Sequence, residues 1–296
     1  MATAPAELLA AAMDRVGSPV CVGLDPVYDA LDTDLRSRHH EPLSAIAEFC
    51  HGVVRAVAPF APAIKIQSAC FERYGSKGVA LLEEVAADAR QRSMIVVLDF
   101  KRGDIGISAA HYAAAAIRAH AHWVTVSGYL GPSGVTPFLD AGLGAFVLVR
   151  TSNPDSDAVQ SHMLTDGRSV ASMMADHVRE IGSASVGPRG LSNVGAVVGA
   201  TKAGEGAMLR QRMPGAIFLV PGYGAQGGTA ADVRAMLRPG ANTPGTSGVL
   251  VTASRSVIYA KGESTTGGSD TKPWDQRVAA AAQSLAAEIH AVVAGD

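Results

Sequence analysis

Four charged residues lie together at the end of an apolar run near position 100. The stretch VLDFKRGDI (97–105) contains Asp99, Lys101, Arg102 and Asp104. Charges that point inward are costly unless they pair or take part in chemistry. If the run is a strand, Asp99 and Lys101 point to the same side, about 6 to 7 Å apart along the chain. Charges arranged in this way could keep an ammonium group protonated and fixed in position beside a reacting carbon. A salt bridge at the rim of the sheet, and a helix N-cap for Asp104, are the alternatives.

A glycine-rich segment later in the chain could bind a phosphate. The segment PGYGAQGGTAADV (221–233) contains four glycines, and a helix is expected to follow them. Glycines let the backbone approach a ligand closely, and helix amides can cradle an anion. Arg255 follows a later apolar run, and its guanidinium suits a phosphate dianion. A flexible loop that ends in a helix cap, with a surface arginine, is the alternative.

The remaining candidate motifs are weaker. His120 and His122 form an H-x-H pair, but they precede an apolar run, so solvated or capping histidines are favoured over a metal site. The glycines of GLGAFVLV precede the predicted strand, whereas those of a dinucleotide-binding fingerprint follow it, so this segment does not indicate dinucleotide binding. Asp155 and Asp157 are interpreted as ordinary turn residues. The sequence marks no Ser-His-Asp or Cys-His arrangement.

Length and composition argue against several classes of protein. The chain has 296 residues, of which 48% are hydrophobic, 18% charged and 5% aromatic, with a formal net charge of −2. These values argue against nucleic-acid binding. No apolar run approaches the roughly 20 residues of a membrane span, and the N-terminal MATAPAELLAAAMDRVG is predicted to be a short amphipathic helix, not a signal peptide. Cys21, Cys50 and Cys70 lack CxxC spacing, which indicates reduced thiols in a cytoplasmic protein.

Eight short apolar runs alternate with helix-like segments. The predicted strands are 18–26, 62–67, 93–100, 122–127, 144–152, 194–201, 216–222 and 248–254. The predicted helices are 43–58, 77–92, 106–121, 132–142, 168–182, 202–212, 229–238 and 275–293. Nearly continuous apolar strands are typical of parallel sheets covered on both faces. The alternation predicts an α/β protein with a (β/α)8 TIM barrel, and a doubly wound open sheet is the competing fold.

A barrel would gather the candidate residues at one end, because catalytic groups of such barrels lie at the carboxyl ends of the strands. Polar residues lie on or directly after most of the predicted strands: Asp25, Lys65, Asp99, Lys101, Thr151, Ser152, Asn153 and Arg255. Two segments, 183–193 and 262–273, are predicted to be loops. No linker divides the chain, so residues 1–296 are predicted to form one domain.

Taken in order, several segments resemble the longer bacterial branch (type 2) of orotidine 5′-phosphate decarboxylase. DFKRGDI resembles the D-x-K-x-x-D-I motif of that family, and CVGLDP, IKIQSACFERYG, VRTSNP, FLVPGYGAQGG and ASRSVIY resemble its other segments. The resemblance covers about residues 20–260. Related sugar-phosphate barrel enzymes share D-x-K-x-x-D, so the ordered set of motifs is more specific than any one of them.

The resemblance implies a function and a set of site residues. It implies decarboxylation of orotidine 5′-monophosphate to uridine 5′-monophosphate without metal or other cofactor, by a homodimer with its active sites at the subunit interface. The implied charged array is Lys65, Asp99 and Lys101, joined by Asp104 from the other subunit. The implied substrate contacts are Asp25 to the ribose, Ser152 to the pyrimidine, Gln226 and Arg255 to the phosphate, and Ser108, where the family usually has Thr, near the other subunit's site.

Two positions depart from the family pattern. Phe100 stands where a smaller residue is expected, and Ser127–Gly128 replaces the more usual pair of a polar residue and proline. Neither position is expected to touch the charged array, but both bear on the local geometry.

The chemistry leads to one mechanistic hypothesis and three alternatives. Loss of CO2 from C6 leaves a carbanion in the ring plane that the ring carbonyls cannot delocalise, so Lys101 would stabilise it and then protonate C6. The alternatives are a sugar-phosphate lyase or synthase with Asp99 and Asp104 as Mg²⁺ ligands, a Schiff-base aldolase using Lys101 or Lys65, and a non-catalytic phosphoribosyl-binding protein.

Overall fold

Eight parallel strands close into a barrel. The structure is a computed structural model and describes residues 3–224, 226–261 and 272–295, so most of the predicted loop 262–273 lies outside the described residues. The strands are β1 (Val20–Leu24), β2 (Ala63–Gln67), β3 (Ile95–Arg102), β4 (Trp123–Val126), β5 (Gly144–Arg150), β6 (Val194–Val198), β7 (Phe218–Pro221) and β8 (Val249–Ala253). Each pairs in parallel with its neighbours, and β8 pairs with β1. The predicted TIM barrel is therefore confirmed, and the open sheet is excluded.

Helices surround the barrel and connect its strands. They are α1 (Pro5–Val16), α2 (Thr33–Ser37), α3 (Pro42–Val57), α4 (Ala69–Glu72), α5 (Gly75–Gln91), α6 (Gly106–Arg118), α7 (Thr136–Asp140), α8 (Asp157–Gln160), α9 (Val170–Gly182), α10 (Ala203–Arg212), α11 (Ala230–Ala235), α12 (Arg255–Ile258) and α13 (Trp274–Ala294). No helix of the described ranges has the length and apolarity needed to cross a membrane.

The segment predicted as a helix over 132–142 is broken into two pieces. A 3-10 turn spans Pro132–Gly134, and α7 then begins at Thr136. Proline fits the first turn of a helix but not its interior, so Pro137 favours a new helix start at this point. The interruption shortens the helix without changing the path of the chain between β4 and β5.

Two layers of apolar side chains build the core. The outer layer lies between strands and helices. The inner layer fills the barrel and includes Trp123 and Phe146, whose rings stack with centroids 4.4 Å apart. Helix α1 belongs to this inner layer through Leu9 and Met13, and Trp123 Nε1 donates to the Pro5 carbonyl at 3.3 Å. The predicted N-terminal helix therefore closes the barrel at the amino ends of its strands, leaving the carboxyl ends for the site.

The H-x-H pair lies at the closed end of the barrel. His122 Nδ1 accepts a hydrogen bond from the Val96 amide at 3.0 Å, so this ring caps a strand, as the sequence favoured. Burial, with a contribution from Arg90, lowers the pKa of His122 to about 4, which keeps the imidazole neutral at physiological pH. No cluster of three or more metal-ligating side chains occurs among the residues that the structure describes.

Candidate active site

A buried carboxylate bridges two ammonium groups at the carboxyl end of β2 and β3. Lys65 Nζ donates to Asp99 Oδ2 at 2.7 Å, and Lys101 Nζ donates to Asp99 Oδ1 at 2.6 Å. Lys65 and Asp99 are 7% and 5% exposed, whereas 46% of the Lys101 side chain is exposed. The three residues therefore form an array in which one ammonium is fixed in the wall and the other faces the open cavity.

Asp99 and Lys65 hold each other in the ionised state. Burial alone would raise the pKa of Asp99, but the neighbouring charges of Lys65 and Lys101 lower it to about 2. Burial would lower the pKa of Lys65, and the carboxylates of Asp99 and Asp25 more than offset this, so its pKa lies above the usual range. Asp99 is therefore a carboxylate at any physiological pH, and Lys101 always faces a negative charge.

A cavity of about 740 Å³ opens above the array. Polar residues of β2, β3 and β4 form one side of its floor, and Leu148, Val197 and Leu219 from β5, β6 and β7 form the other. A floor that is charged on one side and apolar on the other suits a flat, partly polar ligand.

Asp25, after β1, lines the same cavity and forms an ion pair with Lys65. Its Oδ1 lies 3.6 Å from Lys65 Nζ and has no hydrogen-bond partner among the described residues. The turn around it is held by Tyr259, whose hydroxyl accepts from the Val27 amide at 2.7 Å and donates to the Asp25 carbonyl at 3.2 Å. Because Tyr259 directly follows α12, which begins at Arg255, this pair of bonds ties the Asp25 turn to the helix that carries the arginine.

The approach of β1 to the residue before α12 requires a glycine. A β-carbon on Gly23 would lie 1.9 Å from Ser254 Oγ, closer than any real contact. The glycine of the CVGLDP segment therefore allows Ser254, and with it Arg255, to reach the mouth of the cavity.

The glycine-rich turn after β7, which the structure describes except for residue 225, lines the cavity on the side that carries Arg255. Gly222, Gly224 and Gly227 have φ angles of 93°, 64° and 91°, a region that favours glycine. Gly222, Tyr223 and Gln226 line the cavity together with Arg255. The Tyr223 hydroxyl donates to Glu288 of α13, which anchors the turn.

The helix after this turn does not offer its amino end to an anion. Helix α11 has a capping box in which Asp232 Oδ2 accepts from the Thr229 amide at 2.7 Å. This carboxylate accepts the amide that precedes the helix, and none of residues 229–235 lines the cavity, so the helix end is not part of it. The glycine-rich turn and Arg255 remain as the candidate phosphate site.

The segment after β5 forms a further wall of the cavity and includes Ser152. The side chain of Gln160 holds this segment, accepting from the Thr151 amide and donating to the Thr151 hydroxyl, both at 2.8 Å. Asn153 Oδ1 accepts from the same hydroxyl at 2.7 Å. Ser152 lines the cavity between these residues. The sequence pattern singled out Ser152 but carried no signal for Gln160.

The interpretation of Asp157 as an ordinary turn residue is wrong. Its carboxylate accepts from Lys202 Nζ at 2.8 Å and from the guanidinium of Arg150, which is 2% exposed and also bonds Glu205. Hydrogen bonds from Lys202 and Arg150 lower the pKa of Asp157 to about 2. Asp157 therefore belongs to an ion cluster that fixes the segment after β5, whereas Asp155 lines the cavity.

Two predicted site residues do not line the cavity of their own chain. Asp104 Oδ1 accepts from the Ile105 amide at 2.8 Å, and α6 begins only at Gly106, so Asp104 is not its N-cap. Ser108 lies in the first turn of α6, and neither residue is among those that line the cavity. Arg102, the other charge of the opening stretch, packs over the rings of Phe100 and Tyr112 and pairs with Glu72.

The two departures from the family pattern are accommodated outside the cavity. Phe100 packs edge-on against Phe138 with ring centroids 6.0 Å apart. A β-carbon on Gly128 would lie 2.7 Å from Met174 Sδ, so the space that a larger residue would use is filled by Met174. None of Phe100, Ser127 and Gly128 lines the cavity.

Comparison with known proteins identifies the family. The family model described as "Orotidine 5'-phosphate decarboxylase / HUMPS family" matches residues 18–267, which is most of the chain. The chain belongs to this family. Among curated orotidine 5′-phosphate decarboxylases, that of Rhodopirellula baltica is 38% identical, covering 92% of this chain and 94% of its own. That of Salinispora tropica is 41% identical, with coverage of 82% and 85%.

Solved structures of orotidine 5′-phosphate decarboxylases share the fold over nearly the whole chain. The Leishmania donovani OMP decarboxylase is 33% identical, covers 98% of this chain and 99% of its own, and superposes with a TM-score of 0.77. The resemblance stated from the sequence motifs is therefore confirmed as family membership.

Proposed function

We propose that this chain decarboxylates orotidine 5′-monophosphate to uridine 5′-monophosphate, the last step of pyrimidine nucleotide synthesis. The curated relatives named above are orotidine 5′-phosphate decarboxylases, and the chain matches them over most of its length. The observation that carries the proposal is the array itself: both oxygens of Asp99 are occupied by ammonium groups at the floor of a cavity whose rim carries Arg255.

The chemical step would depend on Lys101. When the C6–carboxylate bond breaks, its electron pair stays on C6 in the ring plane, CO2 leaves, and no ring carbonyl can delocalise the pair. A preorganised positive charge is the means by which a protein stabilises such localised charge. The exposed Nζ of Lys101 would face C6, stabilise the developing carbanion and then transfer a proton to it. Asp99 would keep this ammonium in place, and Lys65 would hold Asp99.

The rest of the cavity would bind the nucleotide. The Asp25 carboxylate would accept a hydrogen bond from a ribose hydroxyl, and Ser152 would contact the pyrimidine. Arg255 and Gln226 would hold the phosphate beside the glycine-rich turn. Binding energy gained at the phosphate, away from C6, would serve the transition state by positioning the base over Lys101.

The array geometry favours this chemistry over the other enzymatic hypotheses. An Mg²⁺ site at Asp99 would have to displace two ammonium groups that lie 2.6 and 2.7 Å from its oxygens. A Schiff base needs a neutral amine, whereas the raised pKa of Lys65 keeps that amine protonated. A purely binding protein would have no use for a buried carboxylate between two lysines, which is costly to build.

The direct test is turnover by the purified protein in the presence of a chelator. We expect loss of the ultraviolet absorbance of orotidine 5′-monophosphate, with uridine 5′-monophosphate as the product, at the same rate before and after exhaustive dialysis against EDTA. Lysines supply both of the positive charges that bond Asp99, so we expect the chemical step to need no metal ion. Absence of turnover would refute the proposed reaction, and turnover that required added Mg²⁺ would favour the metal-dependent alternative.

We further propose that the active enzyme is a homodimer in which Asp104 completes the site of the other subunit. The segments around Asp104 expose a group of large apolar side chains: Ile105, Ile107, Tyr129 and Leu130, which are 54%, 74%, 86% and 47% exposed. These segments adjoin, because a β-carbon on Gly134 would lie 3.3 Å from the Asp104 carbonyl and 3.8 Å from Leu130 Cβ. An apolar group of this kind is typical of a protein interface.

The face defined by Ile105, Ile107, Tyr129 and Leu130 is thus proposed to meet a second copy of the chain. Ser108 lies in the same first turn of α6 as Ile107 and would enter the other subunit's site together with Asp104. We propose a cytoplasmic location, which fits three free cysteines, of which Cys21 and Cys50 are buried.

Mixing two inactive variants tests the shared site. Lys101→Ala and Asp104→Asn should each be nearly inactive alone, but a mixture re-equilibrated in equal amounts should recover about one quarter of wild-type activity. The reason is that about half of the dimers are hybrids, and each hybrid has one site with both native residues. A mixture as inactive as its components, under conditions where subunits exchange, would contradict the placement of Asp104 in the other subunit's site.

A further inference from the structure

The end of β3 departs from a regular strand at the residue that carries the exposed ammonium. In the pairing of β3 with β4, Leu98 is opposite Val124 and Arg102 is opposite Val126, so three residues of β3 face the single residue Thr125. Within this bulge Lys101 has a φ of +45°. Residues with a β-carbon avoid this left-handed region, which is retained only where surrounding contacts hold it.

Thr125 supplies the contacts that hold the bulge. It is 1% exposed, and its hydroxyl oxygen accepts the Lys101 amide at 3.1 Å, in place of the sheet hydrogen bond that the bulge removes. The same hydroxyl donates its proton to Asp99 Oδ1 at 2.8 Å. One side chain therefore fixes the backbone of Lys101 and the carboxylate that receives its ammonium.

We propose that Thr125 is a positioning residue for the reaction, and this inference rests on the proposed function. Asp99 Oδ1 receives two hydrogen bonds, one from Lys101 Nζ and one from Thr125, while Oδ2 receives Lys65 Nζ. With Thr125 in place, the carboxylate cannot turn without losing a hydrogen bond, and the ammonium of Lys101 keeps one position. Thr125 is 1% exposed and both hydrogen bonds of its hydroxyl go to the array, so its effect would pass through Asp99 and Lys101.

A valine at position 125 would remove the hydroxyl while keeping the shape of the side chain. The Lys101 amide would then lose its acceptor, and Asp99 would lose one of three donors. Both losses would let the ammonium of Lys101 move away from its position beside the substrate, and even a small displacement of a catalytic group lowers the rate of reaction. Serine would keep both hydrogen bonds and lose only the methyl group.

The test compares Thr125→Val with Thr125→Ser in turnover of orotidine 5′-monophosphate. We expect kcat to fall by about 10- to 100-fold in the valine variant, with KM within about threefold, because the ribose and phosphate contacts are untouched. The serine variant should recover kcat to within about threefold of wild type. Wild-type kcat in the valine variant, or equal losses in both variants, would overturn the inference.

A matched control separates positioning from stability. Ser192, at the closed end of the barrel, is a second buried hydroxyl that accepts one hydrogen bond and donates another, in this case both to backbone groups: it accepts the Val194 amide at 2.9 Å and donates to the Gly182 carbonyl at 3.1 Å. Ser192→Ala should lower the melting temperature as the Thr125 variants do, yet leave kcat unchanged. A fall in kcat that tracks melting temperature across all these variants would overturn the positioning role.

A second measurement does not depend on turnover. The Lys101 amide should exchange its proton slowly in the wild-type protein and at least about tenfold faster in the Thr125→Val variant, as seen by nuclear magnetic resonance. Unchanged exchange would contradict the hydrogen bond at the centre of the inference. Because this readout needs no substrate, failure of the proposed reaction in the wild type would be recognised separately from failure of the role of Thr125.

Discussion

Replacement of Lys101 by alanine should lower kcat by at least about 10⁴-fold, because a single group would supply both the positive charge opposite the carbanion and the proton that quenches it. The protein should remain folded, since 46% of this side chain is exposed and Asp99 keeps Lys65 as a partner. Turnover measured by the loss of substrate absorbance, together with the melting temperature, checks both expectations.

Two companion measurements make the Lys101 prediction specific. The affinity for uridine 5′-monophosphate should stay within about tenfold of wild type, because the phosphate and ribose contacts remain. Lys77→Ala removes an exposed ammonium of α5, away from the cavity, and should leave turnover unchanged. A Lys101→Ala variant that kept more than about one hundredth of wild-type kcat would contradict the assigned chemistry.

Replacement of Arg255 by alanine should distinguish phosphorylated from unphosphorylated substrate. We expect kcat/KM for orotidine 5′-monophosphate to fall by about 10³-fold, since an arginine–phosphate pair combines charge with two directed hydrogen bonds. For the nucleoside orotidine, which has no phosphate, the same substitution should change kcat/KM by less than about threefold. Parallel assays of both substrates provide the measurement.

The control for Arg255 is another exposed arginine, which does not line the cavity. Arg118, on α6, has a side chain that is 71% exposed and pairs with Glu83, and its replacement by alanine should affect neither substrate. Equal losses on nucleotide and nucleoside in the Arg255 variant would place this residue elsewhere than at the phosphate.

The barrel and the charged array were predictable because both leave strong local signals. Each strand is a short, nearly continuous apolar run, and parallel strands covered on both faces require that pattern. Lys65, Asp99 and Lys101 stand out because a charged side chain inside an apolar strand is costly to bury unless it is paired or takes part in chemistry. Their convergence then follows from the fold, which brings the carboxyl ends of neighbouring strands to one rim.

The contacts that depend on register could not be predicted in the same way. Thr125 is a polar residue of β4 that faces the inside of the barrel, and the alternation of side chains along a strand could have indicated this orientation. Its two hydrogen bonds, however, exist only because β3 bulges opposite it. The error at Asp157 has a similar cause. Its partner Arg150 lies on β5, and its partner Lys202 lies just before α10. The residues next to Asp157 in the sequence do not indicate that a buried guanidinium lies close to it in the fold.

Helix α1 has a consequence for how the chain is made. The Ala6 amide donates to Asn193 Oδ1 and Asp14 accepts from the Gly245 amide, across 187 and 231 residues of sequence. Because synthesis runs from the amino end, α1 leaves the ribosome before Asn193 and Gly245 and must wait until the chain has been made almost up to β8. Helix α1 is thus translated before every strand of the barrel that it closes, yet it can reach its final position only after the last strands are made. Until then its apolar face is open to chaperones and to neighbouring nascent chains.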